Sequence, residues 1–251
     1  IRRKEFFIAE LPIFIIPLLL RINSWNDLLH PTLYIGLLAI FLLFNIGDMI
    51  NCYADYELDS IYKSHLSNAV FELGKKNVLV QIVLSGIIAV LLTLIVSIVT
   101  KHYYLIVLTL LGTFIGLQYS IKPFKFKSRG IWQLFCLWGI IFFGPMLYTA
   151  IISNGFPSII HLCIFITFGF HQMGIIMLNT AEDFTEDKNA GLTTIIVSLG
   201  LHKAMNLAWL LVVVNGLALQ LLLWQSIPNT NIVSYLSILV FTLAWLKIVF
   251  E

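Results

Sequence analysis

Charge is scarce in this chain: Asp, Glu, Lys and Arg make up 11% of its 251 residues. A soluble domain carries about a quarter charged residues, so an ordinary water-facing surface is excluded. The formal net charge is only +2, and no basic tract or zinc-ligand spacing is present, so no nucleic-acid partner is expected. Cysteine is equally sparse. Cys52, Cys136 and Cys163 stand singly in or beside apolar runs, which reads as small hydrophobes rather than a disulfide framework. Also missing is the strict apolar/polar alternation that a transmembrane barrel requires. No cleavable signal peptide is expected, because the first apolar run is followed by many more.

What fills the chain is apolar: 59% of residues are hydrophobic and the mean hydropathy is +0.95. Crossing a ~30 Å hydrocarbon layer takes about 20 residues. Runs of that order lie at roughly 6–22, 32–54, 78–100, 103–120, 131–153, 157–180, 203–226 and 231–250. The expectation is an all-α fold, a multi-span transmembrane helical bundle of about eight spans. Basic residues orient such a bundle. Arg21 and Lys101 fall on one face, and the other thirteen Lys and Arg fall on the opposite face, which is therefore expected to be cytoplasmic. Connections on that face, at roughly 55–77, 121–130 and 181–202, are long and polar. Binding and chemistry usually sit on such loops.

Two of these loops open with the same acidic skeleton. "NCYADYELD" at 51–59 and "NTAEDFTED" at 179–187 both read Asn-x3-Asp-x3-Asp. The match suggests two similar halves, roughly 1–128 and 129–251, within one domain spanning 1–251. With about 100° of rotation per helical residue, Asp48, Asn51, Asp55 and Asp59 fall within roughly 80° of one another. Glu57 points the other way. In the second cluster Asn179, Asp183 and Asp187 share a face, flanked by Glu182 and Glu186. Carboxylates stacked on one face repel one another unless a cation lies between them. Magnesium fits: it takes oxygen ligands and binds through one or two carboxylates plus substrate phosphates. One cluster alone would read equally well as carboxylates solvating a helix end. Two copies with identical spacing at the membrane boundary read as a site holding two or more metal ions and, through them, a diphosphate.

A third polar stretch, "QYSIKPFKFKSRG" at 118–130, puts Lys122, Lys125, Lys127 and Arg129 in one connection. Its plain reading is positive-inside topology and contact with membrane lipid headgroups. Its sharper reading is a clamp on a departing diphosphate, with Lys63 helping from the neighbouring loop. Within the spans, Gln172 lies seven residues before Asn179, about 10 Å deeper on nearly the same face. It is a candidate for lining a cavity or for an interhelical hydrogen bond. Glu10, just before Pro12, is a candidate acceptor contact or base, whereas His171 reads as structural.

These residues resemble the UbiA superfamily of intramembrane prenyltransferases. The family's first motif, N-D-x-x-D-x-x-x-D, is matched by Asn51, Cys52, Asp55 and Asp59. Its second, D-x-x-x-D, is matched by Asp183 and Asp187. Its loop Y-S-x-x-P-x-x-x-K is similar to Tyr119, Ser120, Pro123 and Lys127, and "EDKNAGLTTIIVSLG" resembles the stretch after the second motif. Two departures stand out. Cys52 replaces an acidic residue, and "YKSHLSNAV" looks closer to the homogentisate-type branch than to the ubiquinone-type one.

The resemblance implies nine spans, so a further helix is expected beyond Glu251. It also implies transfer of a prenyl group from an allylic prenyl diphosphate to a lipophilic, aromatic acceptor. In that reading Asn51, Asp55, Asp59, Asp183 and Asp187 hold magnesium. Tyr119, Ser120, Asn179 and the lysines hold the diphosphate. A UbiA-type terpene cyclase, in which the substrate's own double bond captures the cation, is the nearest alternative. A secondary transporter is the distant one, because transporter sites lie at the bilayer midplane between broken helices.

Overall fold

The computed structural model describes residues 4–62, 72–226 and 232–250. Each of the eight apolar runs is a helix: α1 (Lys4–Arg21), α2 (Pro31–Ala54), α4 (Lys75–Thr100), α5 (Tyr104–Ser120), α6 (Ile131–Asn154), α7 (Ile159–Ala181), α10 (Leu201–Ser226) and α11 (Ile232–Phe250). Three short helices, α3 (Tyr56–Tyr62), α8 (Phe184–Asn189) and α9 (Ile195–Leu199), lie in the long polar connections. No strand occurs among the described residues. By length and composition, α2, α4, α6, α7 and α10 can each cross a membrane, and α5 is a shorter apolar helix.

The chain divides by packing into two compact units, Ile1–Pro157 and Ser158–Glu251. That boundary is set by compactness, whereas the motif repeat divides the chain by sequence.

In the first unit α2 packs on α4, and α1 on the second half of α6. Leu33, Ile40, Val96, Leu105, Tyr148, Ile151 and Ile152 form one buried cluster. Ile46, Met49, Ile50, Val78 and Ile82 form another, beneath the first acidic motif. Hydroxyls tie three helices together where no water is available. The Thr93 hydroxyl lies 3.0 Å from Tyr148 Oη and 3.3 Å from Thr109 Oγ1, and such bonds hold helices together in lipid. The other face of α4 is bare: Leu79, Val83, Ile87, Leu91 and Ile98 are all exposed. In water that would be an aggregation surface. Such a face has the composition of one that meets hydrocarbon.

Midway along α6, residues Trp138–Phe143 form a π-helical turn. It leads into Gly144 and Pro145. Proline has no N–H to continue the ladder, and a Cβ on Gly144 would lie 2.7 Å from the Gly139 carbonyl oxygen.

The second unit is built on α7 against α10. Gly174 allows the approach, since a Cβ there would lie 2.7 Å from the Ala208 carbonyl oxygen. On α11, Trp245 seats its indole on Gly216 and donates Nε1–H to the Val212 carbonyl at 3.0 Å. His171 on α7 is 4% exposed and packs against the Phe241 ring.

Candidate active site

Both acidic skeletons straddle a helix break. In the first, α2 ends at Ala54, Asp55 adopts φ −93°, ψ 5°, and α3 begins at Tyr56. In the second, α7 ends at Ala181, Asp183 adopts φ −85°, ψ 4°, and α8 begins at Phe184. The two middle aspartates share one sparsely populated backbone region. In each motif the last aspartate donates its N–H to the middle one's carbonyl at 2.8 Å.

This corrects the single continuous helix face expected from the sequence. Asp48 and Asn51 belong to α2, Asp59 belongs to α3, and Asp55 is the corner between them. Short acidic and amide side chains compete with helical backbone bonds and favour such breaks.

The first motif gathers its partners from the loop after α5. Asp55 is 8% exposed, and its carboxylate forms a salt bridge with the Lys127 ammonium. The loop brings Lys127 there through a tight turn. Lys125 is left-handed at φ 42° and starts a 3-10 turn over Phe126–Ser128. The Arg129 guanidinium closes the turn by donating to the carbonyls of Phe124 and Pro123. Ser120 Oγ donates to Asn51 Oδ1 at 3.2 Å, locking the end of α5 to α2.

Asp59 and Asp48 are half-buried, and Glu57 is exposed as expected. Lys122 is exposed and Lys125 half-buried. Lys63 lies outside the described residues. Glu10, on α1, is half-buried.

One residue of this neighbourhood escaped the sequence reading. Gln133 on α6 is 3% exposed and donates Nε2–H to Tyr119 Oη at 3.3 Å. The signal was a lone amide in the run "IWQLFCLWGIIFF", because buried polar groups need partners.

In the second unit Asp187 is 7% exposed, Asp183 half-buried and Asn179 exposed. The chain turns directly after the motif. Leu192 N–H donates to the Asp187 carbonyl at 2.9 Å, and Thr194 Oγ1 caps α9 by accepting from Val197 N–H at 3.4 Å. Gln172 is half-buried on α7.

No group of three or more His, Cys, Asp and Glu side chains converges to hold a metal among the described residues. Magnesium needs no such cage, since one or two carboxylates with phosphate oxygens and water suffice. The donors present are hard oxygens on short, backbone-fixed side chains, so their chemistry fits that ion.

Five helices long and apolar enough to cross a membrane, two of them ending in an acidic motif, define an integral membrane protein. The particular family is fixed by the sequence itself: the chain belongs to the UbiA prenyltransferase family, whose model matches residues 11–250. It is thereby a prenyl-transferring enzyme in the general sense. A search of curated proteins finds no match.

Among solved structures, the fold is similar to a UbiA homolog from Archaeoglobus fulgidus bound to GPP and Mg2+. That match has a TM-score of 0.72 and 15% identity, over 95% of this chain and 82% of that one. The same homolog bound to DMAPP and Mg2+ matches with a TM-score of 0.72 and 15% identity, over 98% and 83% of the two chains. Bound to Cd2+ it matches with a TM-score of 0.72 and 14% identity, over 98% and 84%.

Proposed function

We propose that this protein transfers a prenyl group from an allylic prenyl diphosphate to a lipophilic, aromatic acceptor, with the active site on the cytoplasmic face. The observation that carries the reading is the recurrence of one motif and one backbone corner, at Asp55 and at Asp183. A random surface carboxylate would not repeat both spacing and conformation.

In this reading Asn51, Asp55, Asp59, Asp183 and Asp187 supply the oxygen ligands for magnesium. Bound magnesium supplies Lewis-acid stabilisation of charge building on the diphosphate. Lys127 balances Asp55 and keeps further N–H donors for the phosphate oxygens, since an ammonium carries three. Ser120 fixes the Asn51 amide, and Gln133 fixes Tyr119, so that these groups meet the substrate already oriented.

The reactive carbon parts from the diphosphate oxygen, which keeps the electron pair. The resulting allyl cation is attacked by an acceptor carbon, which then loses a proton. The apolar helices keep water from the cation. Glu10, Asp48 and Gln172 are the candidate acceptor contacts. The nucleophile distinguishes the cyclase reading: there, the substrate's own double bond attacks.

The test is incubation of purified protein in detergent with magnesium, geranyl or dimethylallyl diphosphate and a panel of aromatic acceptors, with products read by mass spectrometry. A prenylated acceptor is the expected product. A cyclic hydrocarbon formed without acceptor would establish the cyclase instead. Intact diphosphate under every condition would overturn both and return attention to transport.

A further inference from the structure

The loop at 121–130 has two sides, and the acidic motif takes up one of them. Lys127 turns to Asp55. Lys122 is exposed, Lys125 is half-buried, and neither forms a salt bridge with a described carboxylate.

The surface around these two lysines is aromatic. Phe124 is exposed, stacks on Phe126 with ring centroids 5.4 Å apart, and meets Phe114 edge-on at 6.4 Å. Phe114 lies on α5 beside Leu110 and Leu111, each more than half exposed. The rings therefore run from the hydrocarbon-facing side of α5 up to the basic loop. At the start of α6, Trp132 is 59% exposed and packs against the exposed Phe135. Indole and phenyl rings at a helix end, beside lysines that can reach outward, have the composition of a membrane–water boundary.

We propose that this surface binds the headgroup of an anionic phospholipid. Lys122 and Lys125, which the family resemblance would set on the substrate diphosphate together with Lys127, here meet the lipid phosphate, while Phe124 and Trp132 flank the first carbons of the acyl chains. Charge complementarity selects an anionic partner, because a basic residue near the surface attracts such lipids. The unbroken run of rings from Phe124 to the lipid-facing side of α5 selects a lipid rather than an acidic protein, which would leave that apolar edge without a role. The bound headgroup sits on the loop that delivers Lys127 to Asp55, so it steadies the loop from the outer side. This binding does not depend on which reaction the site performs.

The test uses the whole protein in nanodiscs of a neutral phosphatidylcholine with a minority of phosphatidylglycerol. Bromine is placed on the acyl chains of one lipid or the other at equal mole fraction. The Trp132 signal is isolated as native protein minus Trp132→Phe. The expected result is stronger quenching of Trp132 by the brominated anionic lipid than by the brominated neutral one. The double variant Lys122→Gln, Lys125→Asn should lose that preference, by about fivefold in relative affinity per lysine at low salt. Asparagine is chosen at 125 because it tolerates the left-handed backbone. Lys122→Arg with Lys125→Arg should retain the preference. Equal quenching by the two lipids in the native protein would overturn the proposal, as would a preference that survives neutralisation of both lysines.

Discussion

The two acidic motifs share a skeleton and a backbone corner, yet they bury different members. In the first, the middle residue Asp55 is sequestered and Asp59 half-buried. In the second, the last residue Asp187 is sequestered and Asp183 half-buried. Asn51 accepts a hydrogen bond from Ser120, whereas Asn179 is exposed. The repeated sequence thus encodes where the helix turns. The surrounding elements decide which carboxylate faces inward. Similar corners with unlike surroundings can divide labour, one holding a charge in place and the other receiving a ligand.

The sharpest break of this comparison is removal of each corner. Asp55→Ala and Asp183→Ala are each expected to lower single-turnover prenyl transfer by about 10²–10³-fold or more. Retained turnover in either variant would mean that only one motif works. Next comes the charge beside the first corner. Lys127→Met should cost about 10²-fold in turnover and, by stranding a buried carboxylate, roughly 3 kcal/mol of stability. Adding Asp55→Asn should restore the melting temperature without restoring turnover.

A third experiment carries the contrast to the packing of the two units. Gly216→Leu displaces the Trp245 indole and should destabilise by about 1–3 kcal/mol. Gly112→Ala on α5 meets nothing within 4 Å and should be neutral or stabilising by up to about 1 kcal/mol; thermal unfolding in detergent separates them. Ser120→Ala removes the hydrogen bond that Asn51 accepts in the first motif. The expected cost is about 1 kcal/mol of stability, read as a lower melting temperature in detergent.

The smallest effect is expected at an acid outside both motifs. Asp27 accepts from the N–H groups of Asn23 and Ser24, which hold its carboxyl below the usual range. A depressed folded-state value stabilises above the unfolded value of about 4 and is lost as pH falls through the folded one. The melting temperature of the native protein should therefore fall more than that of Asp27→Asn on acidification below about pH 4.

Much of this was legible from the amino acids. All eight apolar runs are helices, because continuous hydrophobicity over a membrane's thickness leaves few other conformations. The motifs and the basic loop stood out because charge is rare elsewhere. The corners at Asp55 and Asp183 were not legible, since a helical wheel assumes the helix continues. Among the four basic residues of that loop the family motif singled out Lys127, but not that its partner would be Asp55. That depends on the left-handed backbone at Lys125, a residue type with no particular preference for it. Gln133 was overlooked because its partner, Tyr119, lies on another helix.

The π-helical turn in α6 has a consequence for everything that helix touches. One surplus residue advances the phase of a helix by about 100°. Below the turn Gln133 meets Tyr119, and above it Tyr148 meets Thr93. A shortened α6, lacking one residue between 138 and 143, could satisfy only one of these meetings at a time. The extra residue works as a phase shifter, letting a single rod address the polar end of the bundle and its dry interior on separate bearings.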